Sequence, residues 1–262
     1  MEFKQVIGTR RSIRYFKPWK PVERGKIQVM LEAANRASRA MNADFAKAIV
    51  VDRTELGPDV LEAARTPTTT PAFDQAPVHI YWYLDMTYMD GVQERLKLLV
   101  DIGALTPAHG WSHAYVDEVV YPTVIEPLKQ NPMLLAGMGA VEAGLAICQA
   151  LLAAVDEDLG ACLHAFNAEA LKDLLKPPDH WVPLWVMLVG HPAEEPEAGG
   201  ARPRSPLREV YYEGSYGPEN GWEEDPEVTA RLTEAGMIQR QAPLPERPEE
   251  LRALARMFGL PE

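Results

Sequence analysis

The chain has 262 residues, 47% of them hydrophobic and 24% charged, with a formal net charge of −12. That balance suits a folded chain with a sizeable core and excludes disordered, collagen-like and disulfide-framework readings. The acidic total also argues against a nucleic-acid partner, so any bound phosphate needs a local cluster of positive charge.

A short apolar pattern (Phe3, Val6, Ile7) leads into the block Arg10, Arg11, Ser12, Ile13, Arg14. After a turn marked by Pro18 and Pro21, the spacing of Ile27, Met30, Leu31 and Ala34 predicts a helix with one buried face. Strands are predicted over 48–52, 78–85 and 182–190. The last two are apolar at both alternating positions, so both faces of their sheet should be covered. A helix is expected around 92–102. The segment 105–131 reads as a long aromatic-bearing insertion, of the kind that can form a lid over a site. Its Trp111, Tyr115 and Tyr121 could stack on a ligand or simply pack.

Residues 134–155 are apolar except for Glu142 and Gln149. An acidic residue in mid-span costs about 2.5–3.5 kcal/mol in a bilayer, so this run is read as a buried core helix and no membrane span is expected. Asn167 opens a short helix. Beyond Gly190 the composition changes, with ten prolines from 192 onward, and residues 193–200 read as a linker. Two capped helices are still predicted there, one from Asp225-Pro226 to Gly236 and one from Pro248 to Gly259. The expected organisation is a core over 1–192 and an arm over 193–262 that docks on the core or on a second subunit. Cys148 and Cys162 are read as reduced core thiols, and with no secretion signal evident the expected location is cytoplasmic.

The most informative feature is a charge asymmetry. Residues 1–26 carry eight Lys and Arg against two acids, and the rest of the chain is strongly acidic. Arg10, Arg11, Ser12 and Arg14 place guanidinium forks and a hydroxyl on one short segment, a combination that suits a phosphate dianion. A solvated basic N-terminus is the alternative. Arg202 and Arg204, two residues apart on an extended stretch, would point the same way and could close such a site from another side.

Other machinery is missing from the sequence. Gly137, Gly139 and Gly144 do not have dinucleotide-fingerprint spacing and read as helix-packing glycines. No Walker loop, GxSxG or HExxH motif occurs. His109 and His113 flank Gly110 in a loop-like stretch, and no metal site is expected.

The opening Arg10-Arg11-Ser12-Ile13-Arg14, with Phe16 and a helix ending in AANRA, resembles that of the flavin-dependent nitroreductase family. Later features follow in similar order: AIVVD, Ala76-Pro77 before VHIYWYLD, the alanine-rich helix running into Leu159-Gly160-Ala161-Cys162, PLWVMLVGHPAE, and Arg202-Pro-Arg204-Ser-Pro-Leu207. The resemblance covers about residues 1–210.

It implies an α+β fold with a central mixed sheet flanked by helices, and a homodimer holding FMN at its interface. Carried over residue by residue, Arg10, Arg11, Ser12, Arg202 and Arg204 would hold the FMN phosphate. Arg14 would reach the ribityl chain or pyrimidine, and the backbone of His164 and Ala165 would face flavin N5. Ser38, Arg39 and Asn42 fall where the partner subunit contacts the isoalloxazine ring, although the family's Pro-Ser reads Ser38-Arg39 here. The implied activity is ping-pong hydride transfer from NADH or NADPH to an electron-poor acceptor such as a nitroaromatic or quinone, with no obligatory side-chain acid or base. Trp111 is the candidate acceptor-stacking residue. Two other readings stay open: the same fold acting on a specialised metabolite or on flavin itself, and a non-enzymatic flavin-binding dimer.

Overall fold

Four strands form one sheet in the order β1–β2–β4–β3, with β1 at Ala46–Asp52, β2 at Val78–Asp85, β3 at Gly160–His164 and β4 at Trp181–Gly190. The structure is a computed structural model and describes residues 1–261. All three strand pairings are antiparallel, and the parallel component of the expected mixed sheet is an isolated bridge from Ser12 to Ala161 on the outer side of β3.

The helices in chain order are α1 (Phe3–Thr9), α2 (Arg24–Asn35), α3 (Pro58–Ala63), α4 (Ala72–Gln75) and α5 (Val92–Asp101). They are followed by α6 (His113–Tyr115), a π-helical stretch (Val116–Ile125), α7 (Glu126–Lys129) and α8 (Pro132–Asp156). After β3 and β4 come α9 (Ala168–Leu175), α10 (Pro226–Glu234) and α11 (Arg247–Phe258).

Period-two alternation sorts the core into two layers. Val78, Ile80, Trp82, Met187 and Val189 face the buried stripe of α2 and the inner side of α8. Tyr81, Tyr83, Val186 and Leu188 face the opposite layer, with Phe16, Phe73 and Leu171. A third cluster at the end of β2 joins Leu84 and Tyr88 to α5 and to Val116, Ile125 and Leu128. The 105–131 segment is therefore helical and packed on α5 rather than an open loop, and Trp111 lies half-buried against that cluster with its ring 5.5 Å from Tyr115.

Three expectations change. First, β4 is covered on both faces only from Val186 onward, and Val182 and Trp185 are exposed. On its edge side, β3 likewise pairs only with Val186–Gly190. Second, α8 is not a fully buried core helix. By length and composition it could cross a membrane, but its inner stripe (Leu135, Gly139, Ala143, Ala146, Ile147, Ala150) packs in the core. Met133, Val141, Leu145 and Cys148 point outward, so only Cys162 is a core thiol. Of the three glycines singled out on this helix, Gly139 packs against Leu84 and Tyr88, while Gly137 and Gly144 face open space. Third, residues 193–200 are not a free linker: Glu194, Ala198, Gly199 and Gly200 are buried.

The arm docks on its own chain at two points. Phe258 stacks on Tyr15 with centroids 6.2 Å apart, and Gly236 sits against Gly8 of α1. Ahead of these anchors in the chain, Leu207, Val210, Tyr211, Tyr212, Tyr216 and Trp222 are exposed.

Candidate functional site

The segment from Arg10 to Lys17 crosses the sheet's end without joining a regular ladder. Ile13 N–H donates to the Ala161 carbonyl at 3.2 Å, Lys17 N–H to the His191 carbonyl at 3.0 Å, and Phe16 N–H to Gln75 Oε1 at 3.1 Å. This threading leaves the side chains of Arg10, Ser12 and Arg14 on one side.

There they meet Arg202 and Arg204. All five residues, with Arg11, line one cavity of about 670 Å³. The two arginine groups are some 190 residues apart in the chain, and the fold brings them together as expected. The wall opposite is the arm's turn at Met237–Gln241, and one acid, Glu224, sits on the rim.

Arg11 is the buried member. Its Nη1 donates to the Gly8 carbonyl at 2.6 Å and its Nη2 to Gln239 Oε1 at 2.9 Å, while its Nε has no partner. Burial lowers its pKa, and the charges of Arg10, Arg202 and Arg204 lower it further. Arg202 donates only to backbone carbonyls, at 3.2 Å to Gly200 and 3.2 Å to Ala198. Among the described residues, none of the five arginines forms an ion pair with a carboxylate. Uncompensated cations converging on a cavity, with an orphaned N–H among them, form an anion site of the phosphate class. The residues present therefore fit a phosphate-bearing cofactor such as FMN.

His164 closes β3, and neither it nor Ala165 lines this cavity. Its Nε2 lies 3.1 Å from Thr70 Oγ1, and burial, followed by the charge of Arg14, lowers its pKa. Neutral His164 and cationic Arg14 thus share one neighbourhood, with Ala165 following. Burial also pushes the Cys162 thiol up.

Ser38, Arg39 and Asn42 stand elsewhere. Ser38 and Asn42 are exposed, and Met41 and Asn42 adopt left-handed φ values of 57° and 52°. Arg39 pairs with Asp44 and donates to Asn35 Oδ1 at 2.6 Å. With Asn42, Arg39 lines a separate cavity, so one chain does not unite these residues with the arginine cradle. Trp111 lines neither cavity.

Gln75 and Gln239 escaped the sequence reading, and Glu194, the last residue of PLWVMLVGHPAE, was assigned no role there. Gln75 and Glu194 bind the backbone of the arginine segment, and Gln239 anchors Arg11. Only tertiary contact reveals what these three side chains hold.

Residues 7–84 match the model of the nitroreductase family. Two reductases of Bacillus subtilis strain 168 are related in sequence. An FMN reductase (NADPH) is 29% identical over 40% of this chain and 42% of its own length. An FMN reductase [NAD(P)H] is 27% identical over 79% of this chain and 71% of its own. The chain thus spans less than half of the first of these relatives. Among solved structures, a nitroreductase family protein from Streptococcus pneumoniae TIGR4 shares the fold (TM-score 0.60, 20% identity, covering 81% of this chain and all of that one). So does a protein from Exiguobacterium sibiricum 255-15, described as a nitroreductase and solved with FMN (TM-score 0.63, 18% identity, 80% and 96% coverage). The chain is thus similar to the nitroreductase family over its arginine-bearing segment, is related in sequence to two FMN reductases, and shares the fold of solved nitroreductase structures.

Proposed function

We propose that this chain is an FMN-dependent oxidoreductase that draws on NADH or NADPH and reduces a small electron-poor acceptor, such as a nitroaromatic or quinone, in ping-pong turnover. The observation that carries the reading is the convergence of Arg10, Arg11, Ser12, Arg14, Arg202 and Arg204 on one cavity in an acidic chain. When bound, the flavin supplies two-electron hydride chemistry, and the protein supplies binding, orientation and charge.

Arg10, Ser12, Arg202 and Arg204 would grip the phosphate, with Arg11 fixing the cradle between α1 and the arm. Arg14 would lie along the ribityl and pyrimidine side, where a positive charge favours an anionic reduced ring. The backbone at His164 and Ala165 would border the ring's reactive edge. A neutral His164 adds no second charge there.

The site would be completed by a second copy of the chain. The outward stripe of α8, where Met133 is 86% and Val141 66% exposed, and the aromatic arm are apolar surfaces large enough to need covering. Ser38, Arg39 and Asn42 would then reach the partner's flavin. Trp111 would stack on an acceptor if the 105–131 segment covers the neighbouring site. A cytoplasmic location completes the proposal.

The relatives named as FMN reductases favour one second reading, in which free FMN is itself the acceptor. Purification decides the first point: a yellow protein with about one FMN per chain supports the reading, and a colourless chain that takes up no FMN overturns it. Product analysis with NADPH, comparing free FMN, a quinone and a nitroaromatic, separates the acceptors.

A further inference from the structure

Two consecutive N–H groups of the arginine segment, those of Arg14 and Tyr15, donate to one atom, Glu194 Oε1, at 2.5 and 3.1 Å. A side-chain carboxylate thus stands where a strand carbonyl would otherwise serve. The Glu194 side chain is 1% exposed, and a charge that deep requires a counter-ion. Arg247 of α11 supplies it: Nη2 donates to Glu194 Oε2 at 2.6 Å. The same guanidinium donates through Nη1 to Glu250 Oε2 at 2.9 Å, and Glu250 Oε1 accepts the Glu195 N–H at 2.7 Å. Burial opposes the Arg247 charge, yet the two carboxylates hold its pKa above the ordinary value.

The chain of contacts runs from α11 through Arg247 to Glu194, and from Glu194 to the backbone that carries Ser12 and Arg14. We propose that Glu194 is a positioning residue for the arginine cradle, and that α11, through Arg247, holds it in place. The inference rests on the reading of the cradle as a phosphate site. Without Arg247 the buried carboxylate is uncompensated and turns toward water. The Arg14 and Tyr15 amides then lose their shared acceptor. The cradle keeps every arginine but loses its shape.

That distinction is measurable. The full-length chain, freed of flavin, is titrated with FMN, riboflavin and inorganic phosphate, and its thermal melting is recorded alongside. Arg247→Met should raise the dissociation constants for FMN and phosphate about ten-fold, the scale of a lost hydrogen bond to a charged group. Riboflavin, which lacks the phosphate, should move less than about two-fold, and Arg247→Lys should recover most of the loss by restoring the charge. A lower melting temperature with an unchanged preference for FMN over riboflavin overturns the proposal and leaves α11 a stabilising helix only. If Arg247→Met does not fold, Glu194→Gln and Arg247→Lys carry the test, and equal losses for both flavins overturn it. A wild-type chain that binds phosphate but no flavin refutes the cofactor reading alone, and the phosphate titration then decides the role of Glu194. A chain that binds neither overturns both.

Discussion

A Cβ placed on Gly8 would lie 1.9 Å from the carbonyl oxygen of Gly236, so α1 and the turn after α10 meet backbone to backbone. Arg11 spans that junction, bonded to the Gly8 carbonyl on one side and to Gln239 on the other. Gly8→Ala should force the two apart and cost about 1–3 kcal/mol in denaturant unfolding. FMN retention should fall with it, because the turn at Met237–Gln241 walls the cradle. An unchanged midpoint would show that the arm does not need this contact.

Arg204→Glu places a carboxylate among cations that have no acidic partner, so it should strip the cofactor while leaving the fold intact. The absorbance of the purified variant near the flavin band, set against its protein absorbance, measures this. Full flavin occupancy would remove the phosphate assignment.

The outward stripe of α8 predicts association. Val141→Glu puts a charge at a 66% exposed apolar position that makes no core contact in one chain. It should convert a dimer into a 29.2 kDa species by sedimentation. A wild-type chain that sediments as a monomer while holding FMN would count against the shared site.

Acid should destabilise the protein partly through His79. This side chain is fully buried, and burial pushes its pKa down to about 4 from an ordinary 6.5. The unfolded state then binds more protons between those values. The stabilisation is complete above pH 6.5 and is lost as pH falls toward about 4, at a cost of about 3 kcal/mol. His79→Gln should flatten this part of the stability profile relative to wild type, as read by urea unfolding across that range.

Trp111→Ala tests the lid. Lost stacking of about 0.5–1.5 kcal/mol should raise the KM for an aromatic acceptor about 2–12-fold, and the nicotinamide KM in the same direction. A lower melting temperature with both KM values unchanged would make Trp111 a packing residue only.

Periodicity alone located β2, the buried face of α2 and the two capped arm helices, because these signals are local: alternation, a 3.6-residue stripe, a cap. The arginine-rich opening was equally legible, since guanidinium density in an acidic chain is a property of composition. What the sequence could not decide was which apolar surfaces find a partner. The run at 134–155 carries hydrophobic residues all round, and only packing shows one side against the sheet and Val141 facing out. Residues 193–200 have the composition of a linker, yet Glu194 is buried there because Arg247, more than fifty residues later, neutralises it. Burial of a charge depends on a counter-ion that arrives from elsewhere in the chain, and no local pattern records its arrival. For the same reason Arg10 and Arg204 could each be seen as candidates for a phosphate site, but only the tertiary structure placed them on one cavity.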